Sequence, residues 1–198
     1  MEWLFKALYF AGLGLQVVVR MPYSRQYRET PKVDRRTTLA ERGLLAWLSV
    51  AGLLLPVVYS LTRWLDFANY PLSPRAKARA GGIGTIFLTA GIWLFWRSHR
   101  DLGSNWSPSL EIGEQHTLAT QGVYRTIRHP MYASQLLLAL AQALLLPNWL
   151  AGSGGLAAFL LMYLVRVPRE ERMMLDHFGD AYQAYCDRTG RIVPHLCR

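Results

Sequence analysis

The stretch from Pro130 to Val165 holds thirty-six consecutive residues without a charge. As a single helix rising about 1.5 Å per residue it would reach roughly 54 Å, whereas a hydrocarbon core is only about 30 Å thick. The run must therefore fold back on itself. Pro147-Asn148 supplies the break, a helix stop followed by a turn former, and separates "MYASQLLLALAQALLL" from "WLAGSGGLAAFLLMYLV". The expectation is a tight hairpin of two short membrane helices whose outer ends return to the side they left.

Three further apolar runs precede it. Trp3 to Val19 is interrupted by Lys6, whose long stem can snorkel to an interface, while Gly43 to Thr62 and Ala80 to Trp96 are uncharged. Arg20-Met21-Pro22-Tyr23 does not read as a signal-peptide cleavage site, so the first run is taken as a span. The reading is an all-α integral membrane protein with five transmembrane helices, spans 4 and 5 forming the hairpin. Residues 1–96 make an N-terminal three-span region. Residues 97–198 carry the chemistry, with the hairpin at 131–165 and an amphipathic C-terminal segment.

Cations cluster between the runs. Five spans place the first connector, the third connector and the tail on one side with seventeen Lys and Arg, against five on the other. The positive-inside rule then puts the N-terminus outside and the tail in the cytoplasm. The formal charge of +9 is thereby explained by an anionic inner leaflet, and no nucleic acid partner is expected. Cys186 and Cys197 make neither a disulfide framework nor a zinc site, so no metal is expected.

The connectors differ in character. The first, basic and broken by Pro22 and Pro31, reads as a polar segment draped over the membrane. The third, from Ser98 to His129, is dense in turn formers and potential ligands and long for a connector. In the tail Pro168 is expected near the first turn of a new helix, with Met173, Met174, Phe178, Tyr182 and Tyr185 as its apolar stripe.

Two polar clusters flank the hairpin, "RTIRHPMY" before it and "RVPREE" after it. A hairpin makes them neighbours. Singly, each residue has an ordinary role: Arg125 and Arg128 as membrane flanks, Pro130 as a helix starter, Tyr132 as a belt aromatic, Arg166 with Glu170 as an exposed helical pair. Gln135 and Gln142, seven apart, fit hydrogen bonding inside the bundle.

Taken together, "GVYRTIRHPMY", an apolar hairpin and "RVPREERMMLDHFGDAYQAYCDRTGRIVP" resemble the isoprenylcysteine carboxyl methyltransferase family, with its RHPxY element, paired glutamates and closing FGxxYxxY and Arg-x-x-Pro signature. The resemblance covers roughly residues 97 to 194. It implies a membrane enzyme using S-adenosyl-L-methionine to methylate the carboxylate of a C-terminal prenylated cysteine, releasing S-adenosyl-L-homocysteine. It also implies a helical bundle whose cytoplasmic loop and C-terminal helix enclose the cofactor. A Rossmann sheet is absent from that picture, and "GGIGTIF" does lie inside an apolar run rather than after a strand.

By motif position the resemblance places His116, Leu118, Gly122, Tyr124, Arg128, His129, Pro130, Tyr132 and Glu171 around the cofactor. His116 or Arg128 would bind its carboxylate, the backbone near Leu118 its adenine, and Glu171 its ammonium or ribose. Arg166 is expected to hold the acceptor carboxylate, because a guanidinium fork matches two oxygens, and Glu170 to orient Arg166 or meet the substrate amide. The lipophilic acceptor is expected to arrive from the bilayer. Alternatives remain open: N-methylation of a phospholipid head group with Glu170 or Glu171 as base, S-methylation of a small thiol, or a non-catalytic membrane scaffold or carrier.

Overall fold

The computed structural model describes residues 2–29, 32–35, 38–107, 111–113 and 117–194. Among them the chain is helical: α1 (Glu2–Glu29), α2 (Leu39–Ser49), α3 (Leu55–Leu61), α4 (Pro74–Leu102), α5 (Pro130–Leu145), α6 (Gly154–Phe178) and α7 (Asp180–Arg188). One small antiparallel pair, β1 (Lys32–Arg35) with β2 (Glu111–Gly113), joins the first and third connectors.

Four segments are long and apolar enough to cross a membrane: Glu2–Tyr27, Arg42–Leu61, Pro74–Leu102 and Trp149–Phe178. The apolar α5, at 16 residues, is the shorter fifth. Between 11% and 44% of each long apolar window is buried inside the protein, so most of it faces outward, with Val17, Ile86, Trp93 and Leu164 exposed. An outward apolar surface of that extent belongs in lipid. The five-run membrane reading holds, and no Rossmann sheet occurs among the described residues.

Three boundaries differ from the sequence expectation. The helix of the first run does not stop at Val19 but continues through Pro22 to Glu29. An interior proline costs about 3 kcal/mol, yet this turn is held by packing on α4 and the turn after it. Tyr23 meets His99, and Tyr27 meets Trp106. Likewise α4 runs past Ser98, whose hydroxyl donates to the Leu94 carbonyl, and ends only where Gly103 takes φ 56. Finally, Pro168 opens no new helix. It lies inside α6, between buried Val167 and Met173 and ahead of strong helix formers, and the break comes at Gly179 with φ 53.

The hairpin is as expected, and its tip shows why. Asn148 is fully buried, donating to the Leu65 carbonyl at 2.6 Å and to Asn69 Oδ1 at 3.1 Å. Its own Oδ1 accepts from the Leu150 and Ala151 amides, capping a π-helical turn at Trp149–Ser153. Tyr70 closes the tip by donating its amide to the Pro147 carbonyl at 2.9 Å. Below it, Gln142 Nε2 donates to the carbonyls of Ala51 and Ala151 at 2.8 and 2.7 Å. Gly155 makes room, since a Cβ there would run into the Gln142 amide. Gln142 is thus the buried polar clasp of the bundle, joining the second span to both arms of the hairpin. The α4–α5 contact is close for a similar reason: a Cβ on Gly91 would lie 2.9 Å from Leu138 Cγ.

Candidate active site

The backbone of the RHPMY element is tied down by the tail. Arg128 and His129 donate their amides to the Gly190 and Arg191 carbonyls, each at 2.8 Å, and Gly190 donates to Thr126 at 3.1 Å. Ile127 and Gly190 thereby form a parallel bridge. His129, at φ -123 and ψ 58 and so outside the helical region that a following proline disfavours, leads into Pro130 at the first position of α5, where a missing N–H costs nothing.

The paired glutamates divide their work because consecutive helix residues point about 100° apart. Glu171 faces the strap. Its Oε1 accepts from Arg128 Nε at 2.8 Å, from Arg191 Nε at 3.1 Å, and lies 3.2 Å from His129 Nε2; Oε2 accepts from Arg191 at 2.8 Å. Hydrogen bonding to that carboxylate holds the Arg191 guanidinium above its ordinary value. Arg128 also donates to the Thr189 carbonyl at 2.6 Å. Glu170 faces the other way. It accepts a 2.7 Å hydrogen bond from the Tyr132 hydroxyl, lies 3.9 Å from Arg166 Nε and 3.8 Å from His129 Nδ1.

Beside Glu170 lies a cavity of about 370 Å³, within the range of small-molecule sites. Leu118, Tyr124, Arg128, His129, Pro130, Tyr132, Arg166 and Glu170 line it, so eight of the eleven residues named from sequence converge there. Gly122 and Glu171 stand behind the wall. Gly122 has φ 59 and lies beneath Asp101, whose carboxylate accepts the Val123 amide at 2.9 Å. His116 lies outside the described residues. Arg166 is 8% exposed, so the exposed helical pair offered by the sequence is instead an inward-facing one.

The wall also contains residues that the sequence reading left out of the site. Gln16 and Arg20 come from α1, Leu45 and Leu48 from α2, Trp106 from the third connector and Gln135 from α5. The cavity therefore draws on both sides of residue 96. Arg20 had a readable signal, an arginine closing an apolar run, but membrane flanks look the same. Tyr182 and Tyr185 complete the wall and pack the tail against the third connector: the Tyr185 hydroxyl donates to the Tyr124 carbonyl at 2.7 Å. Burial pushes the phenols of Tyr124, Tyr182 and Tyr185 well above their ordinary value, so they stay neutral donors.

Two donors on the wall, Trp106 Nε1 and Gln135 Nε2, are buried without a hydrogen-bond partner among the described residues. Such a donor costs about 1–3 kcal/mol unless an acceptor arrives. The wall thus offers arginines for a carboxylate, a glutamate for a cation, and aromatic faces for a flat ring or a sulfonium. That donor set fits S-adenosylmethionine.

Comparison with known proteins gives the same direction. The model of the isoprenylcysteine carboxyl methyltransferase (ICMT) family matches residues 83–176. A probable protein-S-isoprenylcysteine O-methyltransferase of Oryza sativa subsp. indica is 31% identical over 83 residues, 42% of this chain and 44% of that protein. Protein-S-isoprenylcysteine O-methyltransferase A of Arabidopsis thaliana is 25% identical over 157 residues, 75% of this chain and 80% of that protein. The Homo sapiens protein-S-isoprenylcysteine O-methyltransferase is 28% identical over 144 residues, 70% of this chain and 51% of that protein. The match thus spans less than half the length of the rice relative. A solved structure of the eukaryotic intramembrane Ras methyltransferase ICMT shares the fold, with a TM-score of 0.52 over 83% of this chain and 55% of that one at 23% identity. The RHPMY element, the paired glutamates and the hairpin between them all fall within residues 83–176, the stretch that is similar to the isoprenylcysteine carboxyl methyltransferase family.

Proposed function

We propose that the chain is an S-adenosylmethionine-dependent membrane methyltransferase that esterifies the carboxylate of a C-terminal isoprenylated cysteine or a similar lipophilic acid. The observation that carries this reading is a cavity in which Arg166, Glu170 and Tyr132 meet an apolar wall of Leu45, Leu48 and Met162. A charged head with an apolar tail needs both. The catalytic face lies in the cytoplasm with the tail, and the N-terminus lies outside. Residues 1–96 act as the membrane scaffold and 97–198 supply most of the catalytic groups.

S-adenosylmethionine, when bound, supplies a methyl group on a positively charged sulfur. Tyr124, His129, Pro130, Tyr132 and the segment at Leu118 would hold it, with Trp106 and Gln135 donating to its acceptors. Gly122 and Glu171 act from behind, shaping the turn and locking the strap. Arg128, committed to Glu171 and Thr189, is a poor candidate for the cofactor carboxylate.

No residue of this chain has to remove a proton, because an ionised carboxylate already carries the attacking lone pair. The chain must instead hold that carboxylate in line and strip its water. Arg166 does the first with two parallel donors. Glu170, fixed by Tyr132, orients Arg166 and keeps its charge from being fully spent on the acceptor. A radiolabelled methyl-transfer assay offering a farnesylated cysteine analogue, phosphatidylethanolamine and a small thiol in parallel tests the reading. Label in the farnesylcysteine ester supports it, and label only in the lipid amine or the thiol replaces it with one of those reactions.

A further inference from the structure

Arg20 lies in the last third of α1, inside a segment apolar enough to span the bilayer, and it lines the cavity. Its guanidinium sits 5.3 Å from the Phe95 ring centre and 5.8 Å from that of Trp106. Aromatic faces can orient a guanidinium, but they do not neutralise it. Among the described residues no carboxylate pairs with Arg20 and no hydrogen bond engages it, whereas Arg128 has Glu171 and Arg166 has Glu170 nearby. Instead, Arg20 and Arg166 line the same cavity, where their like charges oppose each other.

The balance of charge on the wall is uneven. With Arg128 matched by Glu171, the lining sets Arg20 and Arg166 beside one further carboxylate, that of Glu170. A cation held at membrane depth against a like charge is expensive unless an anion joins it. A carboxylate placed between two guanidinium forks satisfies both, and its two oxygens accept from each.

We infer that Arg20 is the second arm of a two-arginine clamp on the acceptor's carboxylate. This rests on the proposed acid acceptor and adds that the first helix, not only the motif-bearing half of the chain, determines which head group is taken. Arg20 is then a specificity residue that touches substrate, and a neutral or amidated head is rejected because it leaves two buried cations facing each other.

The test uses the full chain in lipid nanodiscs and three probes: N-acetyl-S-farnesylcysteine, its carboxamide, and S-adenosylhomocysteine. Wild type is expected to bind the acid over the amide, and Arg20→Gln to lose at least about ten-fold for the acid while binding the amide and S-adenosylhomocysteine as before. Arg20→Lys, keeping the charge without the fork, should recover part of the preference. It also covers the case in which Arg20→Gln does not fold, and retained S-adenosylhomocysteine binding certifies the folded site. A full acid preference in the folded variants overturns the clamp. Equal loss of S-adenosylhomocysteine affinity also overturns it by assigning Arg20 to the donor. A wild-type protein indifferent to acid and amide sinks the acid-acceptor reading itself, before any substitution is made, and the clamp with it.

Discussion

The Tyr132 hydroxyl donates a 2.7 Å hydrogen bond to Glu170 Oε2 across thirty-eight residues of chain. It joins the first turn of α5 to the Arg166–Glu170 turn of α6, at the open end of a hairpin whose far end is pinned by Asn148. Tyr132→Phe keeps the ring and removes this link, so Glu170 loses a fixed partner while the cavity keeps its shape. The expected result is a fall in kcat of about ten-fold with S-adenosylhomocysteine affinity nearly unchanged. Parallel turnover and binding measurements check it, and an equal loss in both would mean that the hydroxyl itself, and not only the ring that Phe retains, holds the cofactor.

Arg166 carries a stronger expectation. Its guanidinium is buried beside Glu170 on the wall, where a fork of two donors can hold a carboxylate without losing a proton. Arg166→Ala should abolish turnover, and Arg166→Lys should lower it by about a hundred-fold, since an ammonium cannot make the paired contact. Cofactor affinity should remain within a few fold of wild type. Loss of cofactor binding in step with turnover would reject the assigned role.

Glu171 presents a contrast with its partner Arg191. The carboxylate is 16% exposed and gathers Arg128, His129 and Arg191, whereas Arg191 is 56% exposed. Removing the hub leaves the largely buried Arg128 guanidinium without its counter-charge, and Glu171→Ala should cost about 3 kcal/mol. Arg191→Ala removes one exposed arm and should cost about 1 kcal/mol or less. Thermal unfolding of the two variants in the same detergent gives the order. Equal destabilisation would show that the main-chain strap, not the carboxylate, holds the element in place.

The sequence showed the hairpin and its two polar flanks because charge-free length and a Pro-Asn break are local signals that the bilayer makes decisive. It also brought Arg128, His129, Arg166 and Glu170 together, since a hairpin leaves no other arrangement. What it misjudged were helix ends at Pro22 and Pro168, where tertiary contacts such as Tyr23 on His99 outweigh the local cost of proline. The contribution of Arg20 was hidden for a related reason. A cation that flanks a membrane run for topology and one that faces a cavity from the same position have identical sequence context, and only the packing of α1 on α4 separates them.

The proposed chemistry fixes a pH response. An acceptor carboxylate has an ordinary pKa of about 3.5, so it is fully ionised well below neutrality. Burial raises the phenols of Tyr124, Tyr182 and Tyr185, which extends their neutral range upward, and Arg191 is raised as well, which keeps it charged. None of these groups changes state between pH 7 and 9 on that basis, and turnover at saturating substrate should be flat across about that interval. A rate climbing steadily with pH would instead mark an amine acceptor that must be deprotonated, with Glu170 as the base.

Gly122 separates a structural demand from a binding role. Its φ of 59 disfavours any side chain, and a Cβ would meet the Asp101 carboxylate that accepts the Val123 amide. Gly122→Ala therefore carries two costs, about 1–2 kcal/mol for the left-handed backbone and a further loss as Asp101 is pushed off its hydrogen bond. Only the second depends on Asp101. In an Asp101→Ala background, whose own cost is the lost cap on Val123, the glycine substitution should be milder by about 1 kcal/mol, a non-additivity readable from unfolding of the two single variants and the double. Strict additivity, together with a selective drop in S-adenosylhomocysteine affinity for Gly122→Ala, would instead mean that the glycine is required by the cofactor pressing against the turn from the cavity side.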